Sequence, residues 1–192
     1  MMKCIRVTAP KEPLVLCDDE PIPKAPDGGA VVKISYSGVC HSDVHFWKGD
    51  KSFARAEGEP TIFKCPCVPG HEIAGVLFSM GESATSNNQS GLKLGDHVVV
   101  FPWVHCGACL PCREGHGDFC DETQLRFAAI GVCFNGGHAQ YVAVPDVRFL
   151  VPVPTSTPLE VACLLPCSGL TAFHAIEETL EFVKKVTQIA GR

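Results

Sequence analysis

Residues 106–120 read CGACLPCREGHGDFC and contain four cysteines within fifteen residues, namely Cys106, Cys109, Cys112 and Cys120. Glycine and proline between them allow tight turns, so the spacing C-x2-C-x2-C-x7-C can bring four sulfurs together. Zinc fits best, because a closed shell of four thiolates is typical of a structural zinc ion. An iron–sulfur cluster is the competing interpretation, although the ferredoxin spacing ends in a gap of three residues rather than seven. Ordinary buried thiols or disulfides are the third interpretation of the four cysteines.

The composition is that of an ordinary globular protein, with 192 residues of which 46% are hydrophobic and 19% charged. The net charge of −5 argues against a general basic field for nucleic acids or membrane surfaces. No run approaches the roughly 18 apolar residues of a membrane span. Twelve cysteines without an apolar leader indicate a reducing compartment rather than a secreted disulfide scaffold. We therefore expect a cytoplasmic protein with no nucleic-acid or membrane partner.

Short apolar runs separated by proline and glycine predict a mainly β fold. The runs lie at 4–7, 14–16, 30–34, 72–76, 98–100, 141–144 and 149–151. Many short strands with this punctuation indicate a barrel or sandwich rather than a βαβ unit. The polar, glycine-bearing stretch 79–91 is predicted to be a solvated loop.

A second group of metal-ligating residue types lies at 40–45, which reads CHSDVH. Ser42 and Asp43 can cap a short helix, and Cys40 would then precede its first turn. Backbone NH groups and the helix dipole favour a thiolate there. The segment indicates metal chemistry or a Cys–His nucleophile, although nothing marks the orienting residue or oxyanion hole that a nucleophile needs.

His71 and Glu72 stand before a predicted strand. His71 could give an imidazole nitrogen to a soft metal, with Glu72 as a ligand or as an acceptor beside it, and a purely structural role fits the pair equally well. Cys65 and Cys67, on either side of a proline, are interpreted as loop or core thiols. Three other histidines are interpreted as bystanders, since four thiolates fill a zinc shell; they are His97, His105 and His116.

The carboxyl-terminal part of the chain predicts two helices. A capping pattern of Thr157 with Glu160 starts a helix through residue 165, which Pro166 ends. A second helix is predicted over 167–176, with Cys167 at its amino-terminal edge, where the dipole would lower the thiol pKa.

Six motifs in one order resemble the zinc-containing alcohol dehydrogenases of the medium-chain dehydrogenase/reductase superfamily. They are Gly38-Val-Cys40-His-Ser-Asp43, Gly70-His71-Glu72, Gly95-Asp96-His-Val, the four-cysteine stretch, Gly136-Gly-His-Ala-Gln-Tyr141 and Leu165-Pro-Cys167-Ser-Gly-Leu-Thr171. The resemblance covers nearly the whole chain, and the order is more specific than any single motif. It implies a mainly β, GroES-like, partly open barrel with a structural zinc lobe at 103–121, short helices and a carboxyl-terminal helix.

The same resemblance implies two zinc ions and a nicotinamide cofactor, NAD or NADP. It assigns the catalytic zinc to Cys40, His71 and Cys167, with water or substrate in the fourth position. It assigns the structural zinc to the four-cysteine stretch. Glu72 would lie beside the metal or occasionally on it, and Asp43 would lie behind the ligands.

Four further residues take roles near the substrate and cofactor by this resemblance. Ser42 would contact the substrate oxygen and pass its proton to His45, whose unperturbed pKa of about 6.5 suits release near neutral pH. His41 would approach the cofactor pyrophosphate, and Thr171 the nicotinamide ring. The implied reaction is the reversible oxidation of a small alcohol to an aldehyde or ketone, with hydride transfer to NAD(P).

The chain departs from the family pattern toward its carboxyl terminus, because no G-x-G-x-x-G dinucleotide fingerprint occurs in it. The resemblance implies a GroES-like catalytic zinc domain over 1–166, and over 167–192 the linker helix and first strand of a Rossmann domain that is cut short. Residues 186–191 would begin that strand. The isolated chain should then be weak or inactive, and the full-length form could be a homo-oligomer. The alternative hypothesis is a non-catalytic, zinc-stabilised interaction or regulatory module derived from a dehydrogenase.

Overall fold

The computed structural model describes residues 1–50, 63–122, 125 and 128–190. Seven strands lie in this part of the chain: β1 (Met2–Arg6), β2 (Val15–Glu20), β3 (Ala30–Gly38), β4 (Glu72–Met80), β5 (His97–Val100), β6 (Tyr141–Val144) and β7 (Leu150–Pro152). The α-helices are α1 (His41–Lys48), α2 (Glu82–Asn87), α3 (Leu110–Arg113), α4 (Leu159–Ala162) and α5 (Leu170–Ala190). Each predicted apolar run overlaps a strand, and the predicted mainly β fold is confirmed.

Five strands form one open antiparallel sheet in the order β6-β3-β4-β5-β7. The long central pair, β3 and β4, has two register shifts, and such bulges bend a strand and increase its twist. Strands β1 and β2 form a separate two-stranded antiparallel sheet. The sheets stay open rather than closing on themselves, as the sequence predicts.

The two faces of the five-stranded sheet pack against different parts of the chain, since successive side chains of a strand point to opposite faces. One face carries the main core, with Ile73 and Leu77 of β4 among its fully buried members. On the other face, Ala74 and Val99 pack against Ala162 of α4. This packing fixes the position of the chain that follows α4. That chain contains Cys167, a predicted zinc ligand.

Strand β1 is tied to the chain around residue 138 as well as to β2. The Ile5 NH donates to the His138 carbonyl at 2.7 Å, and the Gln140 NH donates to the Lys3 carbonyl at 3.0 Å. One edge of β1 thus pairs with β2 and the other holds the turn that carries His138.

Three local predictions are wrong. The stretch 79–91 is not all loop, because α2 occupies Glu82–Asn87. Helix α4 is a single turn that begins after Pro158, so the predicted cap at Thr157 does not form. Helix α5 runs through Ala190, over residues predicted as a strand. Residues 177–188, EETLEFVKKVTQ, are rich in helix formers, and Lys184 Nζ lies 2.8 Å from Glu181 Oε1. Gly191 lies outside the described residues.

Helix α5 carries large apolar side chains that nothing in the described residues covers. Phe173, Ile176 and Leu180 are 58%, 59% and 54% exposed. Their spacing of three and four residues puts them along one side of the helix. No helix in the described ranges is both long and apolar enough to cross a membrane.

Candidate functional site

Cys40, His71 and Cys167 are far apart in the chain but meet in space. Cys40 is the residue before α1, and His71 is the residue before β4. Their ligand atoms and that of Cys167 all lie within 4.8 Å of one another, and the two sulfurs are 3.8 Å apart. These are two thiols and one imidazole, a donor set that zinc uses in sites with an open fourth position.

Cys167 sits in one turn of π-helix, Leu165–Gly169, between α4 and α5. The Gly169 NH donates to the Leu164 carbonyl at 3.1 Å, five residues back. A Pro166 at the start of the turn has no NH to donate, and wide turns of this kind occur often at functional sites. The predicted break at Pro166 is therefore a widening of the helix that brings Cys167 to the other ligands.

Gly70 gives His71 its position. Its φ of +98° lies in the left-handed region, and a Cβ there would come within 2.7 Å of the His138 ring. A residue with a side chain would be strained at this φ and would push against the His138 ring. Glycine avoids both problems, which explains the Gly-His-Glu pattern at the start of β4.

Asp43 lies buried behind the three ligands and contacts the residues that carry two of them, with only 8% of it exposed. Its carboxylate accepts hydrogen bonds from the Cys40 NH at 2.9 Å and from the Gly70 NH at 3.3 Å. It also lies 3.4 Å from His71 Nδ1. Because the carboxylate faces Nδ1, the other ring nitrogen of His71 is left for the sulfur side, as in carboxylate–histidine–metal arrangements.

The Asp43–His71 contact shifts both pKa values. Burial alone would raise the pKa of Asp43, but the neighbouring His71 ring lowers it below its ordinary value. Burial alone would lower the pKa of His71, but Asp43 and then Cys40 raise it. The two shifts have opposite directions because the carboxylate and the imidazole each favour the charged form of the other.

The pKa values of Cys40 and Cys167 shift in opposite directions. Burial opposes ionisation of Cys40, yet hydrogen bonds with Ser42 and His71 lower its pKa, in the direction that the sequence predicts for the end of a helix. The prediction for Cys167 is wrong in direction, because burial and the neighbouring Cys40 sulfur raise its pKa to about 12. Two thiolates this close repel each other, and a divalent cation between them would remove that repulsion. The donors present therefore fit a zinc ion.

Glu72 lies beside this group, where the resemblance expects it. It is 3% exposed, and its charge is a further contribution to the raised pKa of Cys167. An added Cβ on Gly38 would collide with Glu72 Oε2, so the glycine of the motif leaves room for this carboxylate.

The predicted proton-transfer residues lie together on α1. Ser42 Oγ is 3.6 Å from Cys40 Sγ, and His45 follows three residues later on the same side of the helix. His45 Nδ1 is 2.9 Å from Asp50 Oδ2, a contact at the molecular surface that the sequence analysis did not anticipate. His41 and Thr171 are exposed, and the His41 ring lies 4.8 Å from the His45 ring.

His138 is a further member of this neighbourhood that sequence reasoning missed. Its Nε2 is 3.9 Å from Asp43 Oδ2, and its Nδ1 is 3.2 Å from Ser37 Oγ. Burial lowers its pKa, and Asp43 offsets only part of that effect. The available signal was its place in the Gly136-Gly137-His138 motif, but nothing in the sequence connects that motif to Asp43.

The four cysteines of residues 106–120 form a second group, with all four sulfurs within 4.8 Å of one another. Backbone NH groups point at these sulfurs: those of Ala108 and Cys109 donate to Cys106 Sγ at 3.4 Å. The Cys106 NH donates to Cys120 Sγ, and the Asp121 NH to Cys109 Sγ, both at 3.5 Å. Amide groups aimed at sulfur favour thiolates.

The charges in this second group also suit a cation. The NH groups of Ala108 and Cys109 lower the pKa of Cys106 to about 6, whereas burial and the neighbouring sulfurs raise that of Cys112 to about 12. The group therefore ionises readily once and resists full ionisation unless positive charge is added. Four sulfurs fit a closed zinc shell.

The residue just before the four-cysteine group contacts the chain that leads into β7. An Arg148 guanidinium nitrogen donates to the carbonyl of His105, the residue just before Cys106. The His105 ring packs edge-on against Phe149. In the described residues, neither His97, His105 nor His116 joins either ligand group, as the sequence predicts.

Comparison with known proteins agrees with the fold. The family model of the alcohol dehydrogenase GroES-like domain matches residues 26–155. The chain is 37% identical over 168 residues to an NAD-dependent alcohol dehydrogenase of Sulfolobus acidocaldarius, covering 86% of this chain and 44% of that protein.

Two solved structures are similar over most of the chain. The D-arabinose dehydrogenase from Sulfolobus solfataricus is 31% identical, with a TM-score of 0.73 over 96% of this chain and 50% of that one. A cobalt- and zinc-bound thermostable alcohol dehydrogenase from Pyrobaculum aerophilum is 28% identical, with a TM-score of 0.69 over 90% and 46%. The chain thus spans about half the length of the relatives it matches.

Proposed function

The chain belongs to the alcohol dehydrogenase family and carries its GroES-like domain, and from this premise we propose that it binds two zinc ions and forms the catalytic part of an NAD(P)-dependent oxidoreductase. Its reaction would be the reversible oxidation of a small alcohol to an aldehyde or ketone. Cys40, His71 and Cys167 would hold the catalytic zinc. The structural zinc would be held by Cys106, Cys109, Cys112 and Cys120.

The observation that carries the proposal is the convergence of Cys40, His71 and Cys167 from three separate elements. Convergence of two thiols and an imidazole on one point is costly for a fold that does not use it, since close thiolates repel. The carboxylate behind His71 adds the partner that a metal-binding imidazole ordinarily has.

A zinc ion with three protein ligands supplies a Lewis acid that lowers the pKa of an alcohol proton. Ser42 Oγ lies next to Cys40 and can accept that proton while donating its own. His45 is the next proton carrier along α1, and the Asp50 carboxylate orients its ring toward solvent. Asp43 holds the Cys40 backbone and the His71 ring in place during these transfers.

The cofactor assignment rests on the relatives and on two exposed positions. The Sulfolobus acidocaldarius relative is an NAD-dependent enzyme by name. By the family resemblance we assign His41 to the pyrophosphate and Thr171 to the nicotinamide ring, and both side chains are open to solvent. NAD and NADP both stay open, because the residue that reads the ribose follows the glycine fingerprint, which does not occur in these 192 residues.

Zinc counting tests the metal part of this proposal. The purified chain should contain two zinc ions, and His71→Ala should contain one while keeping its fold. Lys93→Ala, at an exposed turn, is the matched control and should keep two. Two zinc ions in His71→Ala would refute the assignment of the catalytic zinc.

Activity assays test the reaction. The 192-residue chain, without a dinucleotide fingerprint, should show no measurable alcohol oxidation with NAD⁺ or NADP⁺. A chain in which this domain continues into such a fingerprint should reduce the cofactor only when alcohol is added. Alcohol-dependent turnover that survives Cys40→Ser in that longer chain would contradict the proposed site.

The exposed apolar side of α5 favours a second candidate, a zinc-stabilised interaction module without catalysis. Such a module should co-purify with a longer dehydrogenase chain and lose that partner when Phe173 and Leu180 are both replaced by serine. Retention of the partner by this double variant would count against the module.

A further inference from the structure

Strands β1 and β2 hold a third cluster of chemically active side chains, remote in sequence from both ligand groups. Cys4 and Cys17 are directly opposite each other in the antiparallel register. Facing residues in such a pair have Cα atoms about 4.5–5.5 Å apart, which lies inside the roughly 4.4–6.8 Å that a disulfide needs. The two sulfurs lie within 4.8 Å of each other. Both are free thiols that small side-chain rotations could join.

The two thiols differ in access to solvent. Cys4 is 2% exposed, whereas Cys17 is only partly buried. Burial and then the neighbouring Cys17 raise the pKa of Cys4, so ionisation of Cys4 is disfavoured. An oxidant arriving from solvent therefore meets Cys17 first, and Cys4 waits behind it.

Arg6 places a positive charge beside this cluster. Its guanidinium forms an ion pair with Glu20 at 2.5 Å, and a Glu20 oxygen lies within 4.8 Å of both sulfurs. A cation beside a sulfur stabilises the negative charge that the sulfur carries when it acts as a nucleophile. The ion pair with Glu20 fixes the guanidinium in this position.

A metal site is the other interpretation of this cluster, because a Glu20 oxygen also lies within 4.8 Å of both sulfurs. The Glu20 carboxylate is already paired with the Arg6 guanidinium. A second cation would have to enter against that positive charge. The observations thus favour thiol chemistry over metal binding.

We propose that Cys4 and Cys17 are a site of reversible oxidation, which a peroxide converts into a cross-strand disulfide. The Cys17 thiolate attacks one oxygen of hydrogen peroxide; the O–O bond breaks, leaving a sulfenic acid on Cys17 and a hydroxide that takes a proton to become water. The Cys4 sulfur then attacks the Cys17 sulfur, and the S–O bond breaks as the hydroxyl leaves with the thiol proton as a second water. Two thiols lose two electrons and one peroxide gains them.

Peptide mass spectrometry of the zinc-loaded chain tests this proposal. After treatment with one equivalent of hydrogen peroxide and alkylation of the remaining thiols, we expect a linked pair of peptides containing Cys4 and Cys17. Dithiothreitol should remove the link and return both cysteines to the alkylated form. In Cys4→Ser, dimedone should label Cys17, because the sulfenic acid has lost its resolving thiol. If Cys4→Ser does not fold, Cys17→Ser should abolish the link and leave Cys4 reduced.

Charge variants and metal analysis sharpen the test. Arg6→Gln should form the link at least about threefold more slowly, since its guanidinium supports the attacking sulfur. The proposal is overturned if Cys4 stays fully alkylatable while Cys17 is oxidised, or if Cys17 pairs with another cysteine. A third zinc ion in the wild-type chain that Cys17→Ser loses would equally overturn it, in favour of the metal interpretation.

Discussion

The two ligand groups of this chain are built in opposite ways. The group at Cys106–Cys120 takes all four sulfurs from fifteen consecutive residues, and backbone NH groups of the same stretch point at them. The group of Cys40, His71 and Cys167 takes its donors from the start of a helix, the start of a strand and a π-helical turn. One is a local, closed shell, and the other depends on the whole sheet and has only three donors.

Under the proposed function, this difference separates stability from chemistry. A closed four-sulfur zinc shell would leave no position for a substrate, so the binding energy there would contribute to folding. Three donors would leave a position free, and the polar side chains around them would take part in proton transfer. The predictions below test this separation, beginning with the largest expected effect.

Cys109→Ser should affect stability more than any other single change discussed here. Loss of one of four thiolates would weaken binding of the zinc proposed to cross-link residues 106–120. We expect the free energy of unfolding to fall by about 3 kcal/mol, which lowers Tm by roughly 6–12 °C. Thermal unfolding with zinc analysis measures both effects. Cys65→Ser, which removes a thiol outside both groups, is the matched control; equal unfolding temperatures for the two variants would break the comparison.

Asp43→Asn should weaken the three-donor group without touching the four-cysteine group. An amide accepts hydrogen bonds more weakly than a carboxylate and cannot support charge on His71. We therefore expect the free energy of unfolding to fall by about 2 kcal/mol. Zinc affinity at the three-donor group should fall by roughly 10- to 100-fold. Competition with a chromogenic chelator measures this, with exposed Asp18→Asn as the control. A change in the four-cysteine group instead would mean that Asp43 acts on the fold at large.

His138 should give a smaller, pH-dependent effect. Burial holds its pKa below the unfolded value of about 6.5, so the unfolded chain binds more protons as the pH falls. Stability from this residue is present above pH 6.5 and is lost as the pH drops toward the folded pKa. His138→Gln should flatten that part of the stability curve, measured by urea unfolding at successive pH values. An unchanged slope would show that His138 does not titrate with folding.

Ser42→Ala should have the smallest effect on the fold. Its hydroxyl lies 3.6 Å from the Cys40 sulfur, and the change in the free energy of unfolding should stay within about 0.5 kcal/mol. In a longer chain with a dinucleotide fingerprint, loss of the proton carrier should reduce kcat by about 100-fold or more. Stability and kcat falling together would argue that Ser42 is structural.

The sequence predicts the local features of this molecule better than the distant ones. The four-cysteine group is predictable from spacing alone, because its geometry depends on nearby turns. The meeting of Cys40 with Cys167 follows only from a resemblance, since the pairing of β3 with β4 and the packing of α4 decide it. His138 was missed because its contacts with Ser37 and Asp43 are set by tertiary packing, and Asp50 was missed although it lies only five residues from His45.

The errors in secondary structure have the same origin. The resemblance predicts the start of a strand at 186–191, whereas α5 continues through Ala190. The expected fall in the pKa of Cys167 considered the helix dipole but not the nearby Cys40 sulfur, which dominates together with burial. Local patterns predict local charge and conformation until a tertiary neighbour opposes them.

Cobalt substitution tests the central claim most directly, because absorption by sulfur-bound Co²⁺ reports the ligands and the open position at once. The chain loaded with two Co²⁺ ions should change its visible spectrum when imidazole is added, with an amplitude corresponding to one of the two ions. His71→Ala should lose this response while keeping the spectrum of the four-sulfur group. A wild-type spectrum insensitive to imidazole, or a response that survives in His71→Ala, would contradict an open site built from Cys40, His71 and Cys167.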